Sequence, residues 1–340
     1  MNKIPAKILV VQTAFLGDVI MSTTIFKGLK KIWPDATIDV VAIPETAAVL
    51  KNNPHLNQVY KFDKRKKLKK YFNLISLVFR IKRNSYDAAF SVQSSLTSSL
   101  IIYLARIKMR VGYHHQKLTT HKIQSDKSLH IRKRVLLLLQ NFTPKKLNTE
   151  TEVFISASDK QKANDFIKAV TKSKMIAIAP GSVWATKKWP KEHFTELIKK
   201  CKDYSIFLIG GSGDFKLNES IIKNCNHPKI VNLAGKLSIL ESCALIKEMD
   251  LVICNDSAPL HMANAVNTPV FAIFGPTVKK FGCYPYREND KILEIDLDCR
   301  PCAKHGSNKC PINHHNCMIQ LQPESVFKEI KTFFEKKQLN

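Results

Sequence analysis

The sequence predicts an α/β protein built from two parallel-sheet domains, and three observations predict it. Short apolar runs of strand length recur along the chain, each followed by a segment with helical periodicity. Residues 252–277, VICNDSAPLHMANAVNTPVFAIFGPT, spell out one such strand–helix–strand unit completely. Near residues 143–156 the pattern resets through Thr143-Pro144 and a polar run to Glu152, so the alternation runs twice in 340 residues. Strands that alternate with helices in this way form parallel sheets covered on both faces.

In the unit at 252–277 an apolar run over 251–254 reads as a buried strand. Asn255, Asp256 and Ser257 follow as N-cap residue types, and Pro259 falls where a first helical turn accepts proline. Leu260, Ala263 and Val266 mark the helix, Thr268-Pro269 stops it, and residues 270–274 form the next strand before Gly275-Pro276. The polar residues therefore stand at the carboxyl end of a strand and the start of a helix. They either cap the helix or hold a ligand, because open parallel sheets bind ligands there and a helix N-terminus favours phosphate. His261, five residues beyond Asp256 and off its helical face, reads equally as a packing residue.

The first domain opens with a strand over 7–13 and a helix carrying Ile20, Thr24, Phe26 and Leu29, ended by Trp33-Pro34. Between them, Phe15-Leu16-Gly17-Asp18 has one glycine where dinucleotide sites have G-x-G-x-x-G, which disfavours a nicotinamide or flavin enzyme. Asp18 at this turn serves either the helix dipole or proton abstraction. Strands are expected over 37–43, 59–62, 88–93 and from Arg110, with helices over 46–50, 98–107 and 132–141. The basic, histidine-bearing segment up to His121 reads as a loop.

Residues 64–83, KRKKLKKYFNLISLVFRIKR, contain no acid. Leu68, Phe72, Ile75, Leu77, Val78, Phe79 and Ile81 suit a helix with one apolar side and a basic rim. That helix either packs into a core with its charges solvated or lies on an anionic membrane surface.

A bridging strand over 153–155 and a helix over 159–170 lead into the second domain. Its strands run over 175–179, 205–209 and 230–233, with helices over 192–200 and 238–249. The first strand ends in Pro180-Gly181-Ser182, followed by Thr186-Lys187-Lys188-Trp189-Pro190. A glycine-serine turn with lysines nearby holds phosphate through backbone N–H groups and ammonium charge, although this is not a P-loop. Gly210-Gly211-Ser212-Gly213 forms a tight turn, and Asp214 stands just beyond it, where an acid can hold a ribose hydroxyl. The expected division is 1–150, 151–322 and a final segment 323–340, helical and crossing back to the first domain.

Composition bounds the partners. With 54 basic against 28 acidic residues the net charge is +26, which points to polyanionic ligands or surfaces. No run approaches the ~20 apolar residues of a membrane span, and the N-terminus lacks a signal-peptide layout, so a cytoplasmic protein is expected. Nine cysteines do not read as a disulfide framework. Cys299, Cys302, Cys310 and Cys317, near His305, His314 and His315, either bind zinc or stay reduced in a compact loop. A basic, zinc-tailed nucleic-acid-binding protein is the alternative class, but no nucleic-acid module or aromatic-studded strand is present, so no nucleic-acid partner is expected.

Four segments taken in order carry a resemblance. They are Phe15-Leu16-Gly17-Asp18-Val19-Ile20, Pro180-Gly181-Ser182 with 186–190, Asn255 to His261 through Phe274-Gly275-Pro276-Thr277, and the Cys299-x-x-Cys302…Cys310-Pro311…Cys317-Met318 tail. Together these resemble the ADP-heptose–lipopolysaccharide heptosyltransferases, most closely the type II enzymes. The resemblance implies a GT-B fold: two Rossmann-like domains, an acceptor domain and a nucleotide-sugar domain, with parallel sheets facing a central cleft.

It also implies roles. Asp18 becomes the general base in an inverting transfer, and Lys187 neutralises the departing diphosphate. Ser182, Thr186, Lys187, Asp256, Ser257, Ala258 and His261 become donor contacts, Asp214 a ribose contact, and Gly17 and Arg110 acceptor contacts. The implied donor is ADP-L-glycero-D-manno-heptose, and no cofactor or metal is called for. The implied acceptor is a lipid A–Kdo–heptose core at the cytoplasmic face of the inner membrane. The basic helix, Arg106, Lys108, Arg110 and Lys117 would then steer the protein to that anionic surface. Many relatives have glycine where Ala258 stands, a departure that bears on the donor sugar.

Overall fold

A computed structural model describes residues 4–64, 69–168, 170 and 173–339. The chain divides between Phe154 and Ile155 into two units, each organised around one six-stranded, all-parallel sheet.

The first sheet comprises β1 (Lys7–Val11), β2 (Thr37–Ala42), β3 (Gln58–Lys61), β4 (Ala88–Ser91), β5 (Met109–Tyr113) and β6 (His121–Ile123), in the order β3-β2-β1-β4-β5-β6. The order reverses between β1 and β4, so the carboxyl end of β1 lies at the switch point where such sheets place ligands. Ile8 through Val11 are fully buried, as expected of a central strand covered on both faces.

The second sheet comprises β7 (Met175–Ala179), β8 (Ser205–Leu208), β9 (Ile230–Asn232), β10 (Leu251–Asn255), β11 (Val270–Phe274) and β12 (Lys291–Glu294), in the order β12-β11-β10-β7-β8-β9. Its switch point falls between β7 and β10. Cys254 is in register with Ala179, which brings the turn after β7 alongside the one after β10.

Several expectations are corrected. The first helix is two, Leu16–Met21 and Thr24–Ile32, because the Ser22 and Thr23 hydroxyls donate back to the carbonyls of Val19 and Ile20 and break the ladder. The stretch expected as a loop ends in a short edge strand, β6. The helix Phe215–Cys225 and edge strand β12 had no counterpart in the sequence reading. Residues 153–155 form no bridging strand; the Phe154 carbonyl accepts from Asn52 Nδ2 instead of a sheet neighbour. The last helix, Pro323–Leu339, packs on the second unit. Val326, Ile330 and Phe334 join that unit's core, and Phe333 meets Phe271 edge-on, which fixes where its apolar face goes. Among the described residues no helix is long and apolar enough to cross a membrane.

Candidate active site

The turns after β7 and β10 are stitched together by a buried side chain. Asn255, fully buried, donates through Nδ2 to the Pro180 carbonyl (2.8 Å) and accepts at Oδ1 from the Trp189 backbone N–H (3.0 Å). One amide thus fixes both ends of the 180–189 loop, and leaving those groups unpaired would cost about 1–3 kcal/mol each. Trp189 is itself anchored, its Nε1 donating to the Leu321 carbonyl (3.0 Å) and its ring edge-on to Phe194.

Within this frame Lys187 and Asp256 form an ion pair, Nζ to Oδ2 at 2.6 Å, with the two side chains 12% and 7% exposed. The Thr277 hydroxyl donates to the same Oδ2 at 2.6 Å. Arg300 in turn pins the 275–277 turn, donating to the carbonyls of Gly275 and Thr277. Asp256 therefore does not cap the following helix. Ser257 occupies the N-cap position but donates its hydroxyl to the Asn255 carbonyl (3.2 Å), so no side chain caps Ala258–Val266. That nine-residue helix begins two residues beyond Asp256, whose carboxylate holds the Lys187 ammonium, and an ammonium with a helix N-terminus is the combination that suits a diphosphate.

The turn after β8 faces the same corner. Asp214 Oδ2 accepts from the Gly211 backbone N–H at 2.9 Å. A Cβ on Gly181 would sit 2.2 Å from Asp214 Oδ1, and one on Gly210 would sit 2.6 Å from Oδ2. The carboxylate rests against two glycine backbones, which explains why glycine stands at both positions. Gly235, at φ +74°, donates to the Gly210 carbonyl (3.1 Å) and passes so close to Ser212 that a Cβ would be 2.8 Å from its Cα.

The cysteine-bearing tail packs under the lysine loop. Thr186 and Ser307 are doubly joined, Thr186 N to Ser307 O at 3.0 Å and Ser307 N to Thr186 Oγ1 at 2.9 Å. The His315 Nε2 lies 2.9 Å from the Thr186 carbonyl. Gly306, at φ +89°, leaves room for Trp184 and the Lys187 stem, which a Cβ would meet at 2.8 and 3.2 Å. Burial and the ammonium groups of Lys304 and Lys187 hold the His305 imidazole below its ordinary value, with Asp256 opposing. Among the described residues no group of three or more His, Cys, Asp or Glu side chains is arranged to hold a metal ion.

The structure thus gathers Lys187, Asp256, Ser257, Ala258 and Asp214 at the carboxyl ends of β7, β8 and β10, with half-buried Ser182 on the 180–189 loop. His261 is buried in the helix body. Thr186, expected as a donor contact, spends its hydroxyl and backbone on the tail. Asp18 and Gly17 belong to the first unit, both half-buried in the first turn of Leu16–Met21 at the carboxyl end of β1. Arg110, expected as an acceptor contact, is drawn into the fold: Nε donates to the Leu118 carbonyl, Nη1 to the Ile107 carbonyl, and the guanidinium lies over the Tyr103 ring. Sequence reasoning missed the pairing of Asn255, Thr277, Arg300 and Ser307 with this site. Asn255 and Thr277 stood within motifs the sequence displays, and Arg300 is a cation set between two cysteines, but none of these signals gave the pairing.

Residues 74–312 match the sequence model of glycosyltransferase family 9 (heptosyltransferase). The chain is 28% identical to lipooligosaccharide heptosyltransferase 2 of Campylobacter jejuni, covering 98% of this chain and 100% of that one. It is 29% identical to lipopolysaccharide heptosyltransferase 3 of Escherichia coli over 77% of this chain and 82% of the relative. The solved structure of Escherichia coli ADP-heptose LPS heptosyltransferase II superimposes with a TM-score of 0.80 at 22% identity, covering 98% of this chain and 99% of that one. That likeness is one of fold, and the fold is GT-B.

Proposed function

The chain belongs to glycosyltransferase family 9, the heptosyltransferases, and on that premise we propose that it acts in lipopolysaccharide core assembly as a type II enzyme. It moves heptose from ADP-L-glycero-D-manno-heptose to an inner core that already carries heptose and Kdo. The observation that carries this reading is the Lys187–Asp256–Thr277 junction beside an uncapped helix N-terminus. An ammonium and aligned backbone N–H groups stabilise a diphosphate most as it leaves, when its negative charge grows.

The proposed chemistry is a single displacement. Asp18 takes the proton of an acceptor hydroxyl as its oxygen bonds to the heptose anomeric carbon. The bond from that carbon to the diphosphate oxygen breaks, the electron pair leaves with ADP, and the carbon inverts. One Lys187 N–H is committed to Asp256, which fixes the ammonium and leaves its other donors for phosphate. Asp214, braced on Gly181 and Gly210, supplies the carboxylate for a ribose hydroxyl. The acceptor is anionic and membrane-borne, and so suits a chain of net charge +26.

The test is a donor panel. With a lipid A–Kdo–heptose acceptor, ADP-heptose should release ADP and give a product of inverted anomeric configuration by NMR, whereas an acceptor lacking heptose should stay unextended. Turnover with a UDP- or GDP-sugar and silence with ADP-heptose would overturn the donor assignment while leaving the family untouched.

A further inference from the structure

The helix Lys69–Arg83 has two apolar faces, not one. Leu74, Leu77 and Ile81 are buried in the first unit's core beside Tyr60, Phe62 and Tyr86. Tyr71, Phe72, Ile75 and Phe79 are 68%, 77%, 55% and 62% exposed. At about 100° per residue the exposed four span an arc of roughly 100°, and the buried three an arc of roughly 60° centred about 140° away. The core claims one face; the other is presented outward as a continuous stripe of three aromatic rings and an isoleucine. Isolated exposed apolar residues need no explanation, whereas a contiguous stripe marks a surface that something covers.

The charges around the stripe say what covers it. On the same wheel Lys82 falls inside the apolar arc, Arg83 just beyond its edge, and Arg80 further round. No acid occurs between Lys64 and Arg83, and the helix is led in by Lys64-Arg65-Lys66-Lys67, of which 65–68 lie outside the described residues. A second copy of the chain docked on this face by two-fold symmetry would set one basic, acid-free segment against another, like against like. An anionic bilayer satisfies both features, taking the rings into its headgroup boundary and the cations at its phosphates.

We infer that Tyr71, Phe72, Ile75 and Phe79 form a membrane-docking face that seats the first unit on an anionic lipid surface. This deepens the reading of a membrane-borne acceptor, but its test uses no sugar, so the two stand or fall separately. The stripe supplies insertion and the cations supply attraction, each lysine or arginine near the surface being worth roughly fivefold in affinity.

The experiment is vesicle co-sedimentation with full-length protein, on phosphatidylglycerol–phosphatidylethanolamine vesicles and on phosphatidylcholine alone. Wild type should bind the anionic vesicles and not the zwitterionic ones. Phe72→Ser with Phe79→Ser should lose at least ~10-fold in affinity, with the loss persisting at high salt; Lys82→Glu with Arg83→Glu should lose ~10-fold or more at low salt only. All four positions are exposed, so circular dichroism and thermal melting should match wild type, as should turnover on a lipid-free acceptor. Phe72→Trp should show a blue-shifted emission on binding anionic vesicles. Equal binding by wild type and variants would overturn the inference. So would a wild-type dimer that Phe72→Ser with Phe79→Ser converts to monomer, since the face would then join two chains.

Discussion

Lys187 and Thr277 meet at one oxygen of Asp256, each at 2.6 Å, although they come from loops 90 residues apart in sequence. Asp256 is thus held from two sides, and the ammonium that would face a leaving diphosphate is held by Asp256. Thr277→Val removes the hydroxyl at nearly constant volume and leaves the carboxylate to Lys187 alone. The expected outcome is a donor-dependent rate reduced ~10-fold, with Thr277→Ser close to wild type, measured as ADP release under saturating acceptor.

The ion pair itself predicts non-additive stability. Asp256→Asn or Lys187→Met alone leaves one charge in a site that excludes most water, which costs about 3–5 kcal/mol. The double variant Lys187→Met/Asp256→Asn should therefore be less destabilised than the sum of the two, by at least ~1 kcal/mol in urea unfolding. Additive losses would mean the pair carries no coupling.

Two glycines on neighbouring turns predict opposite outcomes. Gly181→Ala places a methyl on the Asp214 carboxylate and should weaken donor binding ~10-fold or more, while Gly213→Ala meets nothing within 4 Å and should be silent. In an Asp214→Ala background, Gly181→Ala should add little. Donor affinity by calorimetry checks all four proteins.

The tail cysteines should differ in reactivity. Partial burial works against ionisation of Cys310, but the backbone N–H groups of His315, Ile312, His314 and Asn313 converge on its sulfur and hold its thiol below the ordinary value of 9.0. Burial, aided by the neighbouring thiols, pushes Cys317 up to about 11. Because the thiolate is the nucleophile, Cys310 should gain reactivity at lower pH than Cys317 as pH rises. Iodoacetamide labelling followed by peptide mass spectrometry should mark Cys310 first and Cys317 last.

Much of the architecture was legible because a parallel sheet writes itself locally. Strands such as 175–179 and 270–274 are apolar runs bounded by turn residues, and the structure places them at the same positions. What escaped were β6 and β12, short edge strands whose sequences, HKI and KILE, are half polar because one side faces no neighbour. The residue types of the site were visible too: a lysine after a glycine-serine turn and a carboxylate at a strand end. Their partners were not, since Asn255 reaches across to Pro180 and Thr186 to Ser307 through long-range contacts that no local pattern encodes. Arg110 shows the converse. It stands in a basic region, and no local pattern shows that its guanidinium is bonded to two backbone carbonyls.

The most direct measurement is ADP release from ADP-heptose with a lipid A–Kdo–heptose acceptor, comparing wild type with Asp18→Asn. Asp18 sits half-buried in a first helical turn at the carboxyl end of β1, where a base or a dipole partner both fit. General-base catalysis predicts that the variant binds donor as tightly as wild type and turns over at least ~100-fold more slowly. A variant that keeps wild-type turnover would contradict it and leave Asp18 as a partner of the helix dipole.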